Sequence, residues 1–384
     1  MNKTLKNIFI LTLIVLFIIA FSDSYLSLSL DNLAYVIAIG IDKSETNNLQ
    51  VTFQFSTPNS DSSSQSESES SGKTSSIIKT VDASSISSAI NLMNAYISKQ
   101  INMSHCKIIV FSEELASEGV SDEIFTLIND TQIRPSSNII ISKCDAKYYI
   151  ESTKPDLENL VAKYYETLPN SSIYTGFITD ATIGDFFNAL ISKTSMPYAI
   201  LGNVNSEQSE SIGLAVFYHD KFVGELNPLE TISFLSVTND VERFLISIPN
   251  PYYKDKYIDL YVSPEKSADI KVDTTSSSPF IKIKLKFNCR IYSMSDDSDY
   301  LSPEVLDTIS LACNEYLESV FSDFLYKTSK NLKSDICKFG RPACSNFLTT
   351  SDFDDYNWLY NYRNAFFDVE VDTSVKSGML LTET

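Results

Sequence analysis

Leu33 to Ile41 reads LAYVIAIGI, a nearly unbroken apolar run rich in β-branched side chains. Its length and β-branched content predict a buried strand. Asp42 to Asn48 is polar and ends in Asn-Asn, which predicts a turn. Gln50 to Phe55 then alternates, with Val51, Phe53 and Phe55 on one face, so the segment closes as a β-hairpin. Further on, Ser84 or Ser85 can cap a helix carrying Ile86, Ile90, Met93 and Ile97 on one side. A strand KIIVF from Lys107, a helical stretch EELASEGVSDEIFTLIND broken at Gly119, and a strand NIIIS from Asn138 follow. Pro155 predicts a helix start with Leu157, Leu160, Val161 and Tyr164 behind it. Ile183, Phe186, Phe187 and Leu190 predict another helix.

Gly202–Ser211 is polar and reads as a linker between two domains. GLAVFYHDKFVGEL then predicts a hairpin turning at His219-Asp220. Ile281–Phe287, IKIKLKF, alternates strictly and places Lys282, Lys284 and Lys286 on one face. FDVEV from Phe367 does the same with Asp368, Glu370 and Asp372. Each face alone repels itself, so the two strands are expected as neighbours in one sheet. Between them Ser302-Pro303 opens the longest helix, with Leu306, Ile309, Cys313, Tyr316, Leu317, Val320, Phe321 and Phe324 on one stripe. The expected class is α+β and multi-domain, with mixed β-sheets, packed helices and one long helix in the C-terminal domain.

The amino terminus differs. Lys3 and Lys6 precede an apolar run from Ile8 to Phe21, shorter than the roughly 20 residues a bilayer span needs. The run reads as the apolar region of an export signal, and Ala20-Phe21-Ser22 places small residues around a cut before Asp23. Residues 1–22 are thus a signal peptide, cut or kept as an anchor. Residues 23–201 form an N-terminal region, and 212–384 a C-terminal domain that is itself divisible. Ser60–Ser71 has eight serines and three acids in twelve residues, a solvated loop without core-forming side chains.

Composition narrows the function. The 384 residues carry 30 Lys and Arg against 49 Asp and Glu, a net charge of −19, which excludes an electrostatic footprint for nucleic acid. With 10 glycines, and no phosphate-cradling or nucleophile-elbow motif, nucleotide chemistry has no loop to use. The two histidines, His105 and His219, are far apart, and His219 reads as an exposed turn residue. His105 and Cys106 are adjacent on an extended segment, so their side chains diverge and make a poor dyad. The six cysteines form no C-x-x-C and read as buried thiols, with a Cys337–Cys344 bridge left open. Asp352, Asp354 and Asp355 lack the Gly and closing Glu of a Ca²⁺ loop and read as a helix start. No catalytic residue, metal ligand or cofactor is assigned.

Several blocks, in order, resemble the Ger(x)C family of spore germinant-receptor C subunits. They are LDNLAYVIAIGIDKSETNNLQVTFQFSTP (30–58), CKIIVFSEELASEGVSDEIFTLINDTQIRPSSNIIISK (106–143), ATIGDFFNALIS (181–192), GLAVFYHDKFVGELNPLET (213–231), LKSDICKFG (332–340), Trp358 and FFDVEVDTSVKSGML (366–380). The resemblance implies a non-enzymatic protein on the outer face of the spore inner membrane. It would assemble with two integral-membrane subunits, an A-type and a transporter-like B-type, to signal germination. It implies no ligand-binding residue on this chain. Family members carry a lipid-bearing Cys near the amino terminus; here Ser22 stands in its expected place, and a hydroxyl cannot form the thioether. The competing expectation is a stand-alone extracytoplasmic solute-binding protein.

Overall fold

The structure, a computed structural model, describes residues 12–13, 32–46, 48–57, 76–155, 157–158, 160–171, 175–294 and 302–376. The export signal apart from Thr12 and Leu13, Ser22, and the Ser-rich run 60–71 lie outside the described residues.

The first half is built from β1 (Leu33–Lys43), β2 (Leu49–Ser56), β3 (Ser76–Ala83), α1 (Ile86–Tyr96), β4 (Gln100–Asn102), β5 (Ile108–Ser112), α2 (Glu113–Glu118), α3 (Ser121–Asn129), β6 (Asn138–Ser142), α4 (Ala146–Ser152), α5 (Val161–Thr167), α6 (Ile183–Leu190), β7 (Tyr198–Asn205), β8 (Gln208–Tyr218) and β9 (Lys221–Leu226). Among the described residues these strands form a nine-stranded sheet in the order β3-β2-β1-β5-β6-β7-β8-β9, with β4 beside β1. The neighbours β1, β5, β6 and β7 run parallel, and antiparallel hairpins flank them on both sides.

Helices cover both faces of this sheet. Ile86, Met93, Leu115, Ile124, Leu127 and Phe186 pack on one side, and Tyr149, Ile150, Val161 and Tyr165 on the other. That is why β1 is apolar at successive positions: Ile37 and Ala38 serve one core while Val36 and Ile39 serve the other. Ser85 caps α1, its side chain accepting from the Ser88 amide. Gly119, at φ 126°, separates α2 from α3, a backbone angle that a side chain would strain.

The second half contains α7 (Pro228–Thr238), β10 (Phe244–Pro249), β11 (Tyr257–Pro264), β12 (Asp269–Asp273), β13 (Phe280–Met294), α8 (Pro303–Tyr326) and β14 (Phe366–Lys376). Its five described strands form a sheet in which β13 joins β11 and β12 on one side and β14 on the other. Ile309, Cys313, Leu317, Phe321 and Phe324 of α8 are buried, facing Ile281, Ile283, Leu285 and Phe287 of the alternating strand. The pairing of β13 with β14 is parallel and sets Lys282 opposite Asp368, Lys284 opposite Glu370 and Lys286 opposite Asp372. Lys282 bonds Asp368 at 2.6 Å and also reaches Glu370, which Lys284 joins, while Lys286 meets Asp372.

Helix α8 also covers the open side of β14. The Val371 amide donates to Glu318 at 2.9 Å, the Thr373 amide to Asn314 at 2.9 Å and the Val375 amide to Ser310 at 3.3 Å. Alternate residues of a strand advance about 6.6 Å, and every fourth residue of a helix about 6 Å. The two repeats are close enough for three successive contacts to form.

Three expectations are corrected. Pro155 does not begin a helix: α5 starts at Val161, and Leu157 is 98% exposed rather than on a buried stripe. Gly202–Ser211 is not an open linker; its residues pair as the end of the β7–β8 hairpin, with Asn203 opposite Glu210. Asp42 is not in the turn: β1 continues through Lys43, and Asp42 is buried.

The Lys and Asp/Glu ladder makes a direct test. Replacing Lys282, Lys284 and Lys286 together by Glu should lower the melting temperature. Adding Asp368→Lys, Glu370→Lys and Asp372→Lys should recover it, with both effects shrinking at high salt. No recovery would mean that the two charged rows contribute independently.

Candidate functional site

The carboxyl ends of parallel strands are where open α/β sheets ordinarily take ligands. Here that end is closed from within. Asp42, at the end of β1, accepts from the Ala146 amide at 2.6 Å and the Lys147 amide at 2.9 Å. Its carboxylate therefore occupies the amino terminus of α4, the position an anionic ligand would need. Burial raises its pKa above the ordinary carboxylate value, against the lowering effect of those two amides.

The histidine and the cysteine at the amino end of β5 do not cooperate. His105 is exposed and stacks on Tyr35 with ring centroids 4.5 Å apart. Cys106 is buried, donates to the Ile108 carbonyl, and has its pKa pushed up to about 12 by burial, which removes thiolate character. All six cysteines are free thiols, Cys337 and Cys344 included. His219 is exposed in the β8–β9 turn with φ 57°. Asp352 lies in the first turn of the helix Thr350–Tyr356, whose cap is Thr349. Among the described residues no group of three His, Cys, Asp or Glu gathers as a metal site, and no helix is long and apolar enough to cross a membrane.

A cleft of about 750 Å³ lies at the opposite end of the first sheet. Its floor and walls come from the start of β1 (Leu33, Tyr35), the end of β2 (Phe55), the start of β3 (Ile77, Lys79) and the segment after α1 (Ile97, Lys99). Tyr96, His105 and Lys107 complete it. No Asp or Glu is among the described residues lining it, although the chain as a whole carries −19. Lys107 meets Glu166 at 3.7 Å at the margin. The wall is mainly apolar and aromatic, with lysines around it, a lining of the kind that binds an apolar or amphipathic group. Nothing in the linear sequence marked this cleft, because its cations come from separate elements.

A second polar centre holds the two halves together. Asp335 is fully buried and accepts from Trp358 Nε1 at 2.8 Å, the Gly340 amide at 2.9 Å and the Phe339 amide at 3.1 Å. Its own carbonyl accepts from the Met196 amide of the first half at 2.9 Å, and Ser334 Oγ donates to the Phe217 carbonyl at 2.6 Å. Burial outweighs these donors and pushes the Asp335 pKa up to about 6. Gly340 is required beside it, since a Cβ there would lie 2.4 Å from the Thr194 carbonyl oxygen.

Comparisons with known proteins agree with this architecture. The family model for the spore germination protein N-terminal domain matches residues 27–202, and that for the spore germination B3/GerAC like C-terminal domain matches 212–378. Spore germination protein KC of Bacillus subtilis (strain 168) is 22% identical over 331 residues, covering 81% of this chain and 81% of that protein. Putative spore germination protein YfkR of the same strain is 20% identical over 319 residues, 80% of each. The crystal structure of the GerBC protein aligns with a TM-score of 0.57 at 16% identity, covering 88% of this chain and 96% of that one.

Two measurements test the Asp335 centre. Between the unfolded carboxylate value and about 6, the native state holds the Asp335 proton more tightly than the unfolded chain does. Its contribution therefore improves as pH falls through that window, by at most about 3 kcal/mol. Urea unfolding of the wild type and Asp335→Asn, from about pH 7 to about pH 4, should show the difference moving in favour of the wild type on acidification. Gly340→Ala should cost about 1–3 kcal/mol in the same assay through overpacking.

Proposed function

The chain belongs to the GerAC-like family of spore germination proteins, and from that membership we propose that it is the non-enzymatic C subunit of a nutrient germinant receptor. Its role in this reading is assembly and signalling, alongside an A-type and a transporter-like B-type integral-membrane subunit, at the outer face of the spore inner membrane. The observation that carries the proposal is the pair of family models, which together span nearly all of the described chain. The inward closure of the usual α/β ligand end by Asp42 supports a role that does not turn over a substrate.

We further propose that the chain divides functionally near 202–211, the interval at which the two family models meet. Strands β8 and β9 then belong to the second unit while completing the sheet of the first. With Ser22 in place of a lipid-bearing Cys, attachment falls to the apolar run Ile8–Phe21, retained as a peptide anchor, and to the membrane subunits. The 750 Å³ cleft favours one competing reading, a stand-alone solute-binding protein.

The test is a tagged pull-down from detergent-solubilised spore membranes, with mass spectrometry of the partners and of the amino terminus. The expected result is co-recovery with a transporter-like subunit and retention of residues 1–22. Recovery from the soluble fraction alone, beginning at Asp23, would overturn the membrane-held subunit. A nutrient that raised the melting temperature of the isolated protein would then establish the solute-binding reading, because a ligand that binds only the native state stabilises it.

A further inference from the structure

We propose that the cleft at the start of β1 is a membrane-docking surface, with its lysines meeting anionic lipid headgroups and its aromatic rim entering the interface. The inference rests on the membrane-held reading above and adds which end of the molecule faces the bilayer.

Charge is the first argument. In a chain of net charge −19, Lys79, Lys99 and Lys107 converge around one opening that no described Asp or Glu lines. Such a local reversal of sign is what an acidic protein needs to approach an anionic surface at all. Each lysine near that surface is worth roughly a fivefold gain in partitioning, so three give roughly a hundredfold.

Shape and polarity are the second. Tyr96 is 74% exposed at the end of α1, and Ile77 is 49% exposed at the start of β3. Tyrosine at a bilayer interface sets its ring among the acyl ends and its hydroxyl among headgroups. Lysine stems cover apolar surface while the ammonium stays in the polar layer. The cleft therefore offers an apolar floor inside a cationic margin, the layering of a lipid interface.

Chain direction is the third. Leu33, at the start of β1, lines the cleft, and the eleven residues 22–32 separate it from the apolar run Ile8–Phe21. Fully extended, those residues reach at most about 40 Å. With the run held in the bilayer, this end of the first sheet stays within that distance of it. The Ser-rich run 60–71 falls between β2 and β3 in the sequence and is acidic, but it has no apolar side chain to set against Tyr35, Phe55 and Ile77. A lipid surface satisfies both the charge and the apolar floor.

The experiment places a reporter on the rim. The full chain carrying Tyr96→Trp is reconstituted into vesicles of brominated phosphatidylcholine, alone or mixed with brominated phosphatidylglycerol. Trp358, 1% exposed in the second core, supplies the reference signal, removed by subtracting the wild type. The expected result is quenching of the new tryptophan in the anionic vesicles, little in the neutral ones, and its loss at high salt. Lys79→Gln with Lys99→Gln and Lys107→Gln should lower the docked-to-undocked ratio roughly a hundredfold. The Lys79→Gln and Lys99→Gln pair, which leaves the Lys107–Glu166 contact intact, should lower it by a smaller factor at unchanged melting temperature.

Quenching no greater than that of Trp358, or equal in neutral and anionic vesicles, overturns the docking surface. So does quenching that appears only after residues 60–71 are deleted, which would assign the cleft to that acidic run. Flotation of the protein with vesicles while the new tryptophan stays unquenched rejects this surface but leaves a membrane-held subunit standing. Recovery of the native protein only from the soluble fraction of spores rejects the membrane-held reading itself.

Discussion

Strand β8 has two faces, and they serve two different hydrophobic cores. Ala215 and Phe217 lie under the helices of the first sheet, whereas Leu214 and Val216 enter the core shared by α7, α8 and the second sheet. Everything else about the relation of the two halves follows from that alternation. A slip of one residue would exchange the two sets of side chains and empty both cores together. The Ser334–Asp335 segment ties the halves as well, the Ser334 hydroxyl donating to the Phe217 carbonyl and the Asp335 carbonyl accepting from the Met196 amide. Cohesion between the halves is thus a matter of packing first, with a buried carboxylate fixing the position of the segment that closes over it.

How much of this was legible depended on whether the signal was local. The charged rows on β13 and β14 were readable across 86 residues, because a two-residue period of like charge has few ways to be satisfied. The paired apolar character of β1 was readable because a strand covered on both faces has no polar positions to give. Pro155 misled because proline at a helix start is a backbone cue, whereas α5 forms where Val161 and Tyr165 find a sheet to pack on. Gly202–Ser211 forms paired strands where an open linker was expected, because the end of the β7–β8 hairpin leaves the core, and a solvated strand tip is polar in the way a linker is. The cap on α4 was invisible: its acceptor is Asp42, more than 100 residues away, and local reasoning would have looked to Asp145, which makes no such bond. The cleft was invisible for the same reason, since Lys79, Lys99 and Lys107 come from different elements.

The buried polar groups of the chain serve the fold. Its buried acids are already engaged, Asp42 by α4 and Asp335 by Trp358 and two amides. A catalytic carboxylate or thiol needs access as well as a shifted pKa. Here Asp335 and Cys106, both raised by burial, lie inside the protein, and the accessible cleft is lined by lysines and aromatic rings. The cleft and the Asp335 centre thus lie in separate places, so the open end of the first sheet can vary without disturbing what holds the halves together.

The helix side chains along β14 have a consequence for how copies of the protein can meet. A sheet with both sides open can add strands at each and grow without end, while a sheet with one side sealed can be extended on the other alone. Ser310, Asn314 and Glu318 seal the β14 side, which leaves the second sheet with a single direction of growth, past β10 and β12. An encounter through that margin uses the one open side of the second sheet, and nothing further can add to that sheet across β14. Among the described residues, the second sheet is thus one that neighbouring chains can lengthen from one side and not from the other.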